Sequence, residues 1–334
     1  MEPLLIFNNE WTASNFTLDL SFGDSENDFE LTIPTKDLKI RPALGYSFGM
    51  FAMAIDGTEY GGFTDQIEVS TDDGMAKVTG RTWHGVLAHK IIQPPAGADY
   101  YTASGDLNAV ISKVLDDIKL TDFYFHGVDY SCGASVTNYR FDRYTDAWTG
   151  LRKLCRDNGA RLSMQFRDSM LYVEAKKLGE TPMLDSDETS FTMTRVFPCT
   201  NHIIGLGSGE LKDREVVHAW ADEYGNVTTT TDSSFRLWLG YMEVAETYEA
   251  TSSDELADDT AKQLEDAQDL GSISMEVGES RDIYGIDEIL SARNNDFGAV
   301  EVTARVSQKV VKIEKGAVTV SYEVADAVVK EVES

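Results

Sequence analysis

Three residue types are scarce in this chain of 334 residues, and each scarcity excludes something. There are three cysteines, Cys132, Cys155 and Cys199, far apart in sequence and odd in number. No CxxC or Cys/His spacing accompanies them, so neither a zinc knuckle nor a disulfide framework is expected. They read as buried thiols of a protein made in a reducing cytoplasm. There are five histidines. None forms an i, i+4 pair or an HExxH run, so no metal site is expected. Basic residues number 29 against 57 acidic ones, a formal charge of −28. A surface that grips nucleic acid needs clustered Lys and Arg, and this composition opposes one. Long apolar runs are also missing: none approaches the ~20 residues of a membrane span, and membrane insertion is not expected. The opening "MEPLLIFNNEW" has no basic region followed by an apolar core, so no signal peptide is expected.

What is present is 42% hydrophobic residues, enough for sizeable cores in two or three domains. Residues 1–97 read as β. "NFTLDLSF", "DFELTIP" and "DQIEVSTDDGMAKVTGRTW" are short, partly alternating segments split by turn-rich "GDSEND" and "DGTEYGG". A small barrel or sandwich is expected there. Residues 98–190 change character. Leu107, Val110, Ile111, Val114, Leu115 and Ile118 recur at helical spacing, with Ser104 as the expected N-cap. A second helix is predicted from about Thr145, with Ala147, Trp148, Leu151, Leu154 and Cys155 on one face and Asn158-Gly159 as its stop. "RLSMQF" and "MLYVEA" read as a hairpin. Residues 191–334 return to β, interrupted by an acidic helix near 253–270. Ser252 and Glu255 form its capping box, and Gly271 is its expected end. A hairpin with a "KG" turn closes the sequence. The fold class is therefore α+β, mainly β: two small β-barrel domains flanking an inserted helix–helix–hairpin module.

The stretch "NHIIGLGSGELKDR" is the one that invites a chemical reading. Its glycines are Gly205, Gly207 and Gly209, and Glu210 stands where a dinucleotide fingerprint needs its third glycine. A carboxylate there would repel a pyrophosphate. Lys212 is followed by Asp213, so the P-loop pair is absent too. "GLGSG" does not space Ser208 as a nucleophile elbow. Gly205, Gly207, Gly209 and Arg214 are thus structural turn positions, with no catalytic, cofactor or metal residue assigned. Exposed aromatics, including those of "DYYTAS" and "TDFYFHGVDY", leave a sugar-stacking surface open as an alternative.

The ordered set of segments carries a resemblance. "KVTGRTWHGVLAHKIIQPP" contributes Gly80, Arg81, Leu87, Lys90, Ile91, Ile92, Pro94 and Pro95. The glycine stretch contributes Gly205, Gly207, Gly209 and Arg214, and "YGIDEIL" comes near the end. In this order they resemble the tail hub family of siphophages and related injection systems, the hub region of tail-associated lysin-type chains, related to the baseplate hub of contractile tails. Lys90 replaces the family's usual arginine, and Ile286-Asp287-Glu288 replaces a usual glycine-aspartate. The resemblance implies a homotrimeric ring with pseudo-sixfold symmetry and no enzymatic activity. The implied partners are the distal tail or tail tube protein, the tape measure protein and tail-tip or fibre proteins. DNA would pass without specific binding, and the location would be the virion tail, assembled in the bacterial cytoplasm. The alternatives are a tail-associated cell-wall hydrolase or a carbohydrate-binding adhesin module.

Overall fold

The computed structural model describes residues 4–6, 11–13, 15–37, 52–179, 183–185, 191–194, 199–232, 242–249, 252–268, 274–280, 284–294 and 300–330. The protein is mainly β, with four helices among these residues. It divides into two compact units, Met1–Thr192 with Met275–Ser334, and Met193–Ser274.

The larger unit is built on a curled sheet. Strands Thr17–Gly23, Asn27–Pro34, Met75–Thr82 and Gly61–Val69 lie side by side, each antiparallel to the next. Their apolar residues alternate as a half-buried pleat requires. Leu18, Leu20 and Phe22 are buried from the first strand, Phe29, Leu31 and Ile33 from the second, and Ala76 and Val78 from the third. On its free side Thr17–Gly23 pairs with strand Val300–Glu314, in register from Glu314↔Thr17 to Gln308↔Gly23. That strand pairs in turn with Ala317–Lys330. The hairpin turn holds Lys315 at φ 51° and Gly316 at φ 82°. Two successive positive φ values match the right-handed twist of the paired strands.

Short capped turns place the three helices of this unit. Thr82 ends a strand and caps helix α1 (Trp83–Ala88), its hydroxyl accepting from Gly85 N at 3.3 Å. Helix α2 (Leu107–Asp117) starts at Asp106, not at Ser104. The carboxylate accepts from Asn108 N at 2.9 Å, whereas Ser104 Oγ lies in a preceding strand and accepts from Asn138 N. Helix α3 (Ala147–Arg156) is capped by Asp146 and followed by Gly159 at φ 67°. Hairpin Ala160–Arg167/Met170–Lys177 turns at Asp168 and Ser169, both at positive φ. Leu107, Ile111, Val114, Trp148, Leu151, Leu154, Phe166 and Val173 bury into the same apolar core as Leu20, Phe22 and Val311.

The compact units therefore do not coincide with the blocks 1–97, 98–190 and 191–334 read from composition. The helices of 98–190 bury their apolar faces in the core of the first block. The 300–314 strand completes the sheet begun at 17–23.

Among the described residues the smaller unit has four strands, in the order 227–228, 216–221, 202–206, 243–247. Helix α4 (Ser253–Ala267) packs on it through Leu256, Thr260 and Leu264. Ser252 caps this helix, accepting from Glu255 N at 3.2 Å. The helix ends at Ala267 with Gln268 as its C-cap. Gly271 lies outside the described residues.

Candidate functional site

The glycine stretch is a packing surface for α4. Gly205 lies in strand His202–Leu206, where an added methyl group would collide with Thr260 Oγ1. At Gly207 the same addition would come within 2.7 Å of Leu256 Cδ2. Gly209 turns the chain at φ 92°, a conformation that side chains rarely adopt. Arg214 then closes the loop, its Nε donating to Gly207 O at 3.2 Å. Between Gly209 and Arg214 the chain makes a single 3-10 turn, Leu211–Asp213. That turn offers no ladder of aligned amides to a phosphate.

The same small sheet brings two histidines together that the sequence leaves 16 residues apart. His202 Nε2 and His218 Nδ1 are 2.9 Å apart, and His202 Nδ1 lies 2.8 Å from Glu243 Oε2. Trp220 stacks on both rings at 5.6 Å. Among the described residues no group of three or more His, Cys, Asp or Glu side chains is arranged to hold a metal ion.

Sequence reasoning missed two buried ionic clusters in the larger unit. The first is a closed ring of alternating charge. Arg152 grips Asp287 with two bonds of 2.7 Å, through Nε and Nη2. Nη2 also meets Asp24 at 2.7 Å. Arg305 closes the ring on Asp287 and Asp24, each at 3.0 Å, and reaches Asp326 at 2.7 Å. Asp287 is 1% exposed. Burial alone would push Asp24 upward, but the hydrogen bond from Arg305 and the Arg152 charge hold its carboxyl below the usual range. Arg152 also lies over the Trp148 ring at 4.7 Å, and Trp148 Nε1 donates to Gly23 O at 2.9 Å. The ring thus fastens α3, the turn after the 17–23 strand, the 284–288 turn and the 300–314 strand to one another. Its only signal in the sequence is Asp287 set inside the apolar "YGIDEIL".

The second cluster is Lys309, Glu59 and His84. Lys309 Nζ meets Glu59 Oε1 at 2.7 Å, and His84 Nε2 lies 3.7 Å from Glu59 Oε2. Phe22, Tyr60 and Tyr322 surround the ammonium with ring centroids at 5.4–5.9 Å. His84 stacks on Phe22 at 4.1 Å and meets the edge of Trp148 at 4.9 Å. Burial lowers the His84 pKa, against the pull of the Glu59 carboxylate. Burial would raise Glu59, yet the Lys309 charge, with the His84 imidazole nearby, outweighs it and holds the carboxyl far below its ordinary value. Glu59 and Lys309 of this cluster also line a polar cavity with Arg161, Tyr284 and Gly285. Cys155 is buried on α3, and burial pushes its thiol well up, away from reactivity.

This architecture is found in a known structure. The chain shares the fold of a prophage tail protein. The match is to the prophage MuSo2 43 kDa tail protein from Shewanella oneidensis, with a TM-score of 0.50 over 97% of each chain at 13% identity. A tail protein from Neisseria meningitidis MC58 aligns over 97% of this chain and 96% of its own, at 12% identity and a TM-score of 0.48. Prophage tail protein gp18 from Listeria monocytogenes EGD-e aligns over 97% and 94%, at 12% and 0.47. No protein-family model matches the chain, and no curated protein does.

Proposed function

We propose that the chain is a structural hub protein of a phage or phage-like tail. Three copies would form a ring with pseudo-sixfold symmetry, each copy supplying two barrel-like β elements. The ring would join the tail tube or distal tail protein to the tip, surround the DNA exit channel, and meet the tape measure and tip or fibre proteins. The observation that carries this reading is the shared fold with the MuSo2 tail protein, end to end in both chains. The buried ionic clusters support it: they tie segments of the larger unit together. Gly205, Gly207, Gly209 and Arg214 serve on this reading as packing and turn positions, and the protein acts without catalysis.

Native mass spectrometry and electron microscopy of the purified chain test the proposal. A threefold particle with a central channel is the expected outcome. A chain that stays monomeric at high concentration, with no ring in images of the assembled tail, sinks it. The charge of −28 adds a second expectation. A wall of carboxylates repels a passing duplex within a Debye length of ~8 Å at physiological salt, where a basic wall would act as a brake. The lumen of the trimer is therefore expected to be net negative, and a channel lined mainly by Lys and Arg would overturn that expectation.

A further inference from the structure

A concavity beside α2 has no part in the tail reading. It is an open hollow of about 580 Å³ between that helix and the 127–131 segment. Tyr130 stands at its edge, 51% exposed. An exposed tyrosine ordinarily turns freely, but this one is held at two points. Its hydroxyl donates to the Glu174 carboxylate, and its backbone carbonyl accepts from Asn108 Nδ2 at 3.0 Å. Asn108 is itself buried, with Oδ1 accepting from Ala175 N at 2.7 Å. The phenol ring is thus oriented before any ligand arrives, which removes part of the ordering cost of binding.

The rest of the wall is polar. Asp106, Asp116 and Asp129 supply carboxylates, with Lys113 and Ser131 between them. Asp106 is already engaged. Burial would raise it, but the Ser131 hydroxyl and nearby backbone amides hold it low. Asp116 and Asp129 are exposed and line the same concavity as the ring. A concave site with one apolar face and a few convergent polar groups is the usual form of a small-ligand site. Three carboxylates against one ammonium disfavour an anion. A flat ring beside carboxylate acceptors matches a molecule with one C–H face and a rim of hydroxyl donors.

We propose that this concavity binds a neutral pyranoside, its C–H face on the Tyr130 ring and its hydroxyls donating to Asp116 and Asp129. The proposal stands independently of the hub reading, since neither the ring nor the pocket walls depend on assembly.

Saturation-transfer NMR with the whole chain tests it, using methyl glucoside, methyl galactoside and methyl N-acetylglucosaminide as probes. At least one is expected to receive saturation in the millimolar range. Tyr130→Ala should abolish the signal, Tyr130→Phe, which keeps the ring but loses its bond to Glu174, should weaken it, and Asp129→Asn should weaken it too. Tyr224→Ala, an exposed tyrosine of the other unit, should change nothing. Asp116→Asn and Asp129→Asn alter surface groups and keep the test valid if Tyr130→Ala fails to fold. No transfer to any of the three probes overturns the proposal, as does a signal undiminished in Tyr130→Ala and in both Asp variants. Glycerol phosphate binding in place of the neutral sugars would also overturn it.

Discussion

Asp287 combines two demands on one residue. It sits at φ 66°, a region that Asp and Asn tolerate better than most side chains. It also supplies the carboxylate on which Arg152 and Arg305 both close. Asp287→Asn keeps the backbone preference and removes the charge, leaving two arginines facing a neutral amide. Breaking a buried pair in this way costs about 3–5 kcal/mol, to be read as a lower urea midpoint. Asp24→Asn should cost less, because its side chain is 39% exposed. His84 and Glu59 give the protein a two-stage acid response. The folded His84 pKa lies below its ordinary 6.5, so below that pH the unfolded chain takes up a proton that the folded chain refuses. Stability therefore falls as the pH drops through 6.5. Glu59 is held below its ordinary 4.5, so its contribution is present above that pH and lost beneath it. His84→Phe preserves an aromatic ring against Phe22. It is expected to flatten the upper stage in pH-dependent denaturation while the decline below 4.5 persists. A slope unchanged between 6.5 and 4.5 would mean that His84 is not the group responsible.

At the scale of elements, the contact between α4 and its sheet is set by the absence of a side chain. Gly205→Ala places a methyl group against Thr260 Oγ1, and overpacking of this kind costs about 1–3 kcal/mol. Thr260→Ala removes that oxygen and should recover part of the loss, a positive coupling measurable in a double-mutant cycle. Gly209→Val, at φ 92°, adds backbone strain of about 1–3 kcal/mol, whatever nucleotide is added. A thermal shift with ATP or NAD would contradict this packing role. Much at this scale was legible in the sequence. Period and caps placed α3 from about Thr145, two residues before its observed start at Ala147, and α4 from about Ser253, and "KG" gave the hairpin turn, because those signals are local. Asp106 displaced Ser104 as a cap, since a strand ran on through Ser104. The pairing of 17–23 with 300–314 left no local trace. Either strand reads as half-buried β, and the choice of neighbour is made by the whole core. The same holds for Lys309, whose burial depends on the Glu59 and aromatic neighbours that folding assembles.

The two compact units differ in how much apolar surface they close. The larger unit has a continuous core from Ala13 to Tyr322, whereas the buried cluster of the smaller one is Ile203, Ala219, Ala221 and Leu264. Local stability tracks such differences. In native-state hydrogen exchange, amides of the 202–206 strand and α4 should open at lower free energy than those of the 17–23 and 300–314 strands. Equal protection across both units would refute this. The pairing of those last two strands has a consequence for biosynthesis. Ser25 and Gln308, which meet beside it, are separated by 283 residues. Translation at about 5–20 residues per second thus leaves strand 17–23 waiting tens of seconds for its neighbour, with one hydrogen-bonding edge open. The nascent chain must either be shielded by a chaperone on the ribosome or pair that edge with the wrong strand. A polypeptide arrested before residue 300 should accumulate as aggregate rather than as a soluble half-protein.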